Sequence, residues 1–352
     1  MNPVAPSQRL LNRREFLGVS STLAGVVMAR AGQAPERRVK VGFLGTSYSH
    51  FAAKHRLLAD SPEFDLVGLC DDDPAVRARA PQEARWLTRP QLFEAAELIV
   101  VESAVANHSH DAREALLAGR HVHLEKPPAA SFPEFQELLR LASERQRLLQ
   151  VGYMWRYHPG IVAVLKAAKE GWLGEVFLVR GMINTYGNRE QRGEWAKFRG
   201  GIMFELGCHL VDPLVRLLGT PARVTSVLQQ VGGAADELAD NTVAVFEYPR
   251  ALGIVSCAAR QPGAAAQRSF EVSGTQGTAR VLPLEPPTLV LDLAAAAGPY
   301  AKGQQEVPLP PYQRYVDEFA ALAKSIRSEQ PLPFTPEQDL AVQLALVQAC
   351  RM

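Results

Sequence analysis

Three residues at helical spacing, Glu205, His209 and Asp212, are the first candidates for chemistry in this chain. At about 100° per residue they would lie within roughly 60° of one another on one helix face. A carboxylate four residues before a histidine can orient the imidazole, which can then hold or relay the proton of a hydroxyl group. The same pattern also fits a simple ion pair between successive helical turns. Both interpretations stay open on these residues alone.

The turn after the first apolar run stands where a dinucleotide-binding fold has its phosphate loop. Gly45 is followed by Ser47 and His50, which occupy the second and third glycine positions of a G-x-G-x-x-G motif. Ser47 and the adjacent Tyr48 precede a predicted helix, whose N-terminus favours an anion. Gly45, Ser47 and Tyr48 are therefore candidate cofactor contacts. On the loop alone, an ordinary strand-to-helix turn is an equal alternative.

An acidic run follows the second apolar segment. Asp71, Asp72 and Asp73 come 26 to 28 residues after Gly45. An acid at this place accepts hydrogen bonds from the ribose hydroxyls of NAD, whereas the extra phosphate of NADP would meet several negative charges. The run therefore favours NAD and disfavours NADP, with Asp71 as the ribose contact.

The elements that must position these residues belong to an α/β fold. Short β-branched runs alternate with helical segments over residues 38–152, which predicts a parallel, doubly wound Rossmann sheet. Its predicted strands are 39–44, 64–70, 97–102, 121–124 and 148–151, and its predicted helices are 51–59, 109–118 and 133–147. Ligands of such sheets bind at the carboxyl ends of the strands.

The remaining residues, 153–352, predict an α+β domain for substrate binding and oligomerisation. Helices are predicted at 160–169, 202–218, 315–327 and 336–349, and a loop at 186–200. Strands are predicted at 176–184, 223–231, 241–248, 253–259, 269–273 and 278–282. Because most of these strands follow one another without intervening helices, we expect a large and mostly antiparallel open sheet.

The first 31 residues differ in composition from the rest. The chain has 352 residues with a net charge of +1, but this segment carries four arginines and one glutamate. Arg13 and Arg14 precede Phe-Leu, a weakly apolar stretch and Ala29-Arg30-Ala31. This pattern is typical of a twin-arginine export signal, and it predicts a periplasmic or otherwise exported protein without a stable membrane anchor. An amphipathic first helix is the alternative.

The composition and the histidine spacing argue against disordered, nucleic-acid-binding and metal-binding proteins. With 47% hydrophobic and 21% charged residues, the chain is expected to be globular, and the absence of a basic run argues against nucleic-acid binding. Four scattered cysteines in apolar segments predict small buried side chains without disulfides. The pairs His108-x-His110 and His121-x-His123 lack further ligands nearby, so no metal site is expected.

Several motifs together resemble the glucose-fructose oxidoreductase, inositol dehydrogenase and MocA (Gfo/Idh/MocA) family. The most specific is Gly-Arg-His-Val-x-x-Glu-Lys-Pro at 119–127, and it follows a strand-turn segment at 99–108. Further marks are Arg-Tyr-His-Pro at 156–159, the segment 171–176, and Gly200-Gly201 before Glu205, His209 and Asp212. The resemblance implies a nicotinamide cofactor, a sugar or polyol substrate, and a homodimer or homotetramer.

The resemblance also assigns roles to single residues. It implies that Lys126 is the catalytic base, with burial and the positive nicotinamide lowering its pKa, and that Glu125 contacts the nicotinamide ribose. Lys126, Glu205 and His209 become the expected catalytic residues. Ser103, His108, Glu125 and Lys126 join the expected cofactor contacts, while Arg156, Tyr157 and Asp212 are expected at the substrate. Ser103 replaces the usual threonine, and Glu205 replaces the usual aspartate.

Export limits the possible reactions, because no recycling pool of cofactor exists outside the cytoplasm. The first hypothesis is an NAD(P)-dependent oxidoreductase that keeps its cofactor tightly bound. The second is a redox-neutral enzyme, an NAD-dependent glycoside hydrolase or an epimerase, in which transient oxidation precedes elimination or inversion. The third is a non-catalytic module that binds a sugar or a nucleotide. The sequence leaves these three open.

Overall fold

The computed structural model describes residues 37–78, 84–231 and 235–352. The twin-arginine leader predicted at 1–31 lies outside the described residues. Among the described helices, none combines the length and apolar character needed to span a membrane. The four cysteines are buried and unpaired, as predicted.

The first sheet is entirely parallel, with strand order β2-β1-β3-β4-β5. This confirms the predicted Rossmann sheet. Near-continuous apolar runs bury both of its faces, and Ile99, Val100 and Val101 are fully buried. Its strands are β1 (Val39–Leu44), β2 (Phe64–Cys70), β3 (Leu98–Val101), β4 (His121–Leu124) and β5 (Leu149–Val151).

Five helices connect or flank these strands. They are α1 (Phe51–Asp60), α2 (Pro74–Arg77), α3 (Arg89–Ala95), α4 (His108–Leu117) and α5 (Phe132–Glu144). Helices α2 and α3 are not predicted by the sequence pattern, because they are short and depend on local caps. Asp73 caps α2, and Thr88 forms a capping box with Gln91 at the start of α3.

The second sheet has eight strands in the order β13-β12-β11-β10-β6-β9-β8-β7. All its neighbours pair antiparallel except β6 and β9, which are parallel. The predicted open, mostly antiparallel sheet is therefore confirmed. Its strands are β6 (Val176–Met182), β7 (Arg223–Gln229), β8 (Asn241–Glu247), β9 (Leu252–Ala258), β10 (Ser269–Gly274), β11 (Gly277–Val281), β12 (Leu289–Leu293) and β13 (Gly303–Val307).

Strands β12 and β13 were not predicted. The edge strand β13 is largely polar, so its sequence carries little alternation of apolar residues, and its pairing with β12 defines it. The remaining helices are α6 (Pro159–Lys169), α7 (Arg189–Trp195), α8 (Cys208–Leu218), α9 (Val316–Ile326) and α10 (Pro336–Ala349). Helix α7 lies inside the predicted loop and starts at a capping box between Asn188 and Gln191.

The predicted helix over 202–218 is not uniform. Residues Met203–Gly207 form a π-helical turn, and the α-helix α8 begins only at Cys208. The expected 100° per residue therefore does not apply between Glu205 and His209, because a π-turn is wound more widely than an α-helix. This change of winding alters where the Glu205 carboxylate points.

The closing helices return to the first sheet. Helix α10 packs against α8 and α5, and Phe319 of α9 packs edge-on against Phe64 of β2. The same Phe319 ring lies 4.6 Å from the ring of His123 on β4. Contacts between residues remote in sequence thus pack the closing helices onto the first sheet.

Candidate functional site

A cleft of about 700 Å³ lies at the carboxyl ends of β1, β2 and β3. Five of the predicted cofactor residues line it: Gly45, Ser47, Tyr48, Asp71 and Ser103. The opposite wall comes from the second domain, from residues of α7 and from Glu205. The cleft therefore stands where open parallel sheets bind their ligands, between the two domains.

Gly45 allows the chain to turn tightly at the end of β1. Its φ is +80°, and a Cβ built there would lie 2.4 to 2.5 Å from the backbone and Cβ of Ser103. The Gly45 amide donates to the Cys70 carbonyl oxygen at 2.8 Å, which ties the loop to β2. Within the described part of the chain no side chain caps the N-terminus of α1, so the first backbone donors of this helix have no side-chain acceptor there. This cradle fits the pyrophosphate of a dinucleotide.

Replacing Gly45 by alanine is expected to weaken dinucleotide binding by at least about tenfold and to lower the melting temperature. The added Cβ meets immobile backbone of Ser103 and demands a positive φ. Gly171→Ala is the matched control, because Gly171 has φ +76° but no atom within 4 Å of a built Cβ. The measurement is dinucleotide titration together with thermal unfolding. Equal losses in the two variants would show that the contact with Ser103 is unimportant.

Asp71 organises the ribose end of the cleft. Its Oδ2 accepts from the Thr46 amide at 2.8 Å and from the Thr46 hydroxyl at 3.1 Å, and its Oδ1 accepts from the Asp73 amide. Arg89 also lines the cleft, but its guanidinium donates to Asp72, Asp111 and Glu114. Three carboxylates thus surround Arg89, the one arginine of this wall within residues 37–78 and 84–231, and the charge of the described residues here is negative.

Lys126 and Glu205 meet where the two domains join. Lys126 Nζ donates to Glu205 Oε1 at 2.9 Å and to the Glu205 backbone oxygen at 2.8 Å. The Tyr48 hydroxyl donates to the same Oε1 at 2.8 Å. The π-turn directs the Glu205 carboxylate to these two donors, whereas the sequence analysis expected it to orient His209. All three side chains are at least nine-tenths buried.

The pKa of Lys126 changes in the direction opposite to the expected one. Burial lowers it, but the negative charges of Glu205 and Glu125 more than offset burial, so the pKa of Lys126 is raised above its usual 10.5. The amine is therefore an ammonium ion in this structure. It can donate a hydrogen bond to a developing alkoxide, but it has no free electron pair to accept a proton.

His209 supplies the missing acceptor. Burial, followed by the charges of Lys126 and His50, lowers the pKa of His209 well below 6.5, so the imidazole is neutral. Its ring lies 5.2 Å from the ring of Trp155, and its Nδ1 is buried without a hydrogen-bond partner among the described residues. A neutral imidazole with an unused nitrogen can accept the proton of a substrate hydroxyl.

The residues predicted at the substrate lie elsewhere. Arg156 and Asp212 are almost fully buried, and Arg156 Nε donates to Asp212 Oδ1 at 2.8 Å. Arg156 also binds Asp339 of α10 at 2.5 Å. The Tyr157 ring packs against Phe334. Because Arg156 and Asp212 are committed to each other, the geometry gives them a structural role that joins α8 and α10.

His108 and Glu125 stand behind the cleft. The His108 ring nitrogens lie 2.8 Å from the Pro127 oxygen and 3.0 Å from the Ser103 oxygen, so the ring bridges the turns after β3 and β4. Glu125 is fully buried, and its Oε2 accepts from the Lys126 amide. Both residues therefore shape the turn that carries Lys126, and neither lines the cleft.

A buried cluster of charged groups behind Glu125 was not predicted. Lys54 Nζ donates to Glu102 Oε1 at 2.8 Å and to Glu125 Oε1, and it lies 2.9 Å from His123 Nε2. The ligand atoms of Glu102, His123 and Glu125 converge like those of a metal site. The Lys54 ammonium lies at this point of convergence. The sequence does not indicate that Lys54 lies at the centre of a buried charged cluster, because a single lysine in an amphipathic helix carries no distinctive pattern.

Glu102→Gln is expected to flatten the pH dependence of stability. Burial raises the pKa of Glu102 from 4.5 to about 8, against the opposing effect of Lys54. Since the folded protein holds this proton more tightly, the stabilisation is complete below about pH 4.5 and is lost as the pH rises to about 8. Guanidinium unfolding across this range tests the variant, with the exposed Glu94→Gln as control. A decline as steep as in the wild type would contradict the assignment.

Comparison with known proteins matches both domains. Residues 39–153 match the model of the oxidoreductase family with an NAD-binding Rossmann fold, and residues 161–280 match the GFO/IDH/MocA C-terminal domain. Together the two models cover more than half of the chain.

Individual relatives agree with this match. An uncharacterised oxidoreductase, C115.03 of Schizosaccharomyces pombe, is 28% identical over 54% of this chain and 55% of its own length. The scyllo-inositol 2-dehydrogenase (NADP(+)) IolW of Bacillus subtilis is 30% identical over 38% of this chain and 37% of its own length. The chain thus spans about half or less of these curated relatives. The crystal structure of GenD2 from gentamicin A biosynthesis, in complex with NAD, is 25% identical, has a TM-score of 0.74, and covers 90% of this chain and 94% of that one.

Proposed function

The chain belongs to the GFO/IDH/MocA oxidoreductase family, and from that premise we propose that it oxidises a hydroxyl group of a sugar or polyol with a tightly held NAD. The cleft is the main support for this proposal, because Glu205 lines the cleft and binds Lys126. The phosphate loop and Glu205, the partner of Lys126, thus line one cleft. The names of relatives that act on inositol support a polyol or sugar substrate.

A nicotinamide bound in the cleft would supply the hydride acceptor. Gly45, Ser47 and Asp71, which line the cleft at the ends of β1 and β2, would hold the dinucleotide. His209, which is neutral, accepts the proton of the substrate hydroxyl, and the Lys126 ammonium stabilises the negative charge that develops on its oxygen. Glu205 and Tyr48 fix the Lys126 ammonium in place.

We expect NAD to bind more tightly than NADP, because Asp71 and Asp72 lie in the cleft and Arg89 is already neutralised by carboxylates. Asp71→Asn removes one negative charge but keeps an oxygen for Thr46. The variant should shift the ratio of the two dissociation constants towards NADP by about tenfold, or about 1.4 kcal/mol. Fluorescence titration with both dinucleotides measures the ratio, and the exposed Asp65→Asn serves as control. An unchanged ratio in Asp71→Asn would remove Asp71 from this role.

The proposal includes export through the leader at 1–31 and a self-association in solution. The twin arginines support export, and replacing Arg13 and Arg14 by lysine should retain the protein in the cytoplasm.

The open face of the second sheet supports a homo-oligomer, since Val227, Val243 and Leu252 are exposed there. Light scattering of the purified protein measures the oligomeric state, and a monomer would contradict this part.

One preparation tests the activity. The purified protein is denatured and the released dinucleotide is identified by mass spectrometry. Sugars and polyols are then added to the intact protein while the absorbance of reduced nicotinamide is followed. We expect released NAD and a persistent absorbance increase with at least one sugar or polyol. Absence of any bound or bindable dinucleotide would refute the proposal.

A further inference from the structure

We propose that His50 is a second acid–base residue of the same site, which Glu125 orients to remove a carbon-bound proton beside a transiently formed carbonyl group. The inference rests on the proposed function and deepens it, because it adds a proton transfer that simple dehydrogenation does not need. It would equip the site for redox-neutral chemistry on its sugar or polyol.

His50 and Glu125 form a histidine–carboxylate pair at the end of the first sheet. His50 Nδ1 lies 3.0 Å from Glu125 Oε1, and the side chains are 14% and 0% exposed. The imidazole is thus the part of the pair that reaches solvent. The other oxygen of Glu125 accepts from the Lys126 amide. A carboxylate bound to one ring nitrogen fixes the imidazole and stabilises its protonated form, leaving the other nitrogen to take a proton.

Lys54 keeps the carboxylate of this pair ionised. Burial alone would raise the pKa of Glu125, but the charge of Lys54, followed by that of His50, holds it well below 4.5. The Lys54 ammonium is fully buried and donates directly to Glu125. Glu125 therefore remains an anion throughout the neutral range, as a partner of an imidazole that gains a proton must be.

His50 faces the catalytic residues. Its ring centroid lies 6.5 Å from that of His209, 5.1 Å from that of Tyr48 and 5.5 Å from that of Tyr315. Burial lowers the pKa of His50 in spite of Glu125, so this imidazole is also neutral. The charged groups that act on it are Glu125, Lys126 and Lys54.

Two neutral imidazoles beside one ammonium exceed the needs of a dehydrogenase. Oxidation of a hydroxyl group releases one proton, which His209 accepts, and one hydride, which the nicotinamide accepts. A second base becomes useful only when another proton must leave the substrate. His50 stands at the position where phosphate loops have a glycine, and its ring lies 5.1 Å from the ring of Tyr48, which lines the cleft.

The proton transfer to His50 conserves atoms and charge. Once the carbonyl has formed, the C–H bond on the adjacent carbon breaks and its proton passes to the free ring nitrogen of His50. The electron pair forms a carbon–carbon double bond, and the negative charge moves to the former carbonyl oxygen, where the Lys126 ammonium stabilises it. Two outcomes start from this enolate. Return of a proton to the opposite face inverts the carbon; alternatively, the electron pair forms a new carbon–carbon double bond, the bond to a substituent on the next carbon breaks, and that substituent leaves with the proton held by His50. Return of a proton and of the hydride leaves no net oxidation.

Exchange of this proton with solvent can be measured separately from the hydride step. The purified full-length protein is incubated in D₂O with two preformed carbonyl compounds, 2-keto-myo-inositol and a methyl 3-keto-glucopyranoside. Proton NMR follows the loss of signal at the carbons beside the carbonyl group. We expect exchange by the wild type and a decrease of about 100-fold or more in His50→Asn, which keeps a donor for Glu125 but cannot take up a proton. His55→Asn, on the same helix, should exchange like the wild type.

Dinucleotide binding and dinucleotide reduction by the His50→Asn protein are measured on the same preparation, so that a loss of exchange can be compared with any loss of the hydride step. A readout independent of turnover is the NMR titration of the His50 ring, whose pKa should fall in Glu125→Gln. Exchange by His50→Asn at the wild-type rate would overturn the inference, as would equal loss of exchange and of the hydride step. If the wild type reduces its dinucleotide but exchanges neither probe, this inference fails and the proposed function stands. If no dinucleotide binds, the proposed function fails, whatever the exchange experiment gives.

Discussion

Replacing Lys126 by methionine is expected to lower kcat by roughly 10³-fold while dinucleotide binding is largely retained. The Lys126 ammonium is the cation placed to meet negative charge on the substrate oxygen, and Glu205 and Tyr48 hold it there. Methionine keeps the length of the side chain but cannot donate a hydrogen bond or carry charge. Since the cleft wall formed by Gly45, Ser47 and Asp71 is unchanged, the binding of the dinucleotide should depend little on this residue.

The measurement is steady-state turnover with the sugar that reduces the bound dinucleotide, together with dinucleotide titration. Lys169→Met is the control, because Lys169 is an exposed lysine on α6. Circular dichroism must show that the variant is folded. Turnover within a few-fold of the wild type would exclude Lys126 from the chemistry. Loss of dinucleotide binding would show instead that the main role of Lys126 is to bind the cofactor.

Lys54→Met is expected to lower the free energy of unfolding by about 3 to 5 kcal/mol, because it leaves buried charges without their cation. Lys54 is fully buried and contacts Glu102, Glu125 and His123. Removing the ammonium leaves the Glu125 carboxylate with His50 and a backbone amide as its remaining hydrogen-bond partners. The loss should therefore far exceed that of an exposed lysine or arginine.

Guanidinium unfolding at neutral pH measures this effect, and Arg56→Met on the same helix is the control because Arg56 is exposed. Adding Glu102→Gln to Lys54→Met should change the stability little further at neutral pH, because a pKa of about 8 already keeps most of the Glu102 carboxyl protonated. A loss below about 1 kcal/mol in Lys54→Met would mean that the cluster adapts without its cation.

Much of the fold could be predicted from local sequence patterns. Apolar runs alternating with helical segments predicted every strand of the first sheet, because each strand is buried on both faces and its composition reflects that burial. Strand ends then placed Gly45 and Asp71 along one edge, the family resemblance added Ser103, and the structure brings the three residues to one cleft. The polar edge strand β13 and the capped helix α7 escaped prediction, because pairing and short-range hydrogen bonds define them.

The sequence by itself determined the family, the parallel sheet and the residues at its carboxyl edge, since these follow from periodicity and from motifs read over a few residues. Only the tertiary structure decided what the charged side chains do. Lys54 meets Glu102, His123 and Glu125 across 48, 69 and 71 residues of chain. Arg156 meets Asp339 across 183. A π-turn redirects Glu205 from His209 to Lys126. Protonation depends on burial and on the nearest charges, and both are properties of the folded chain.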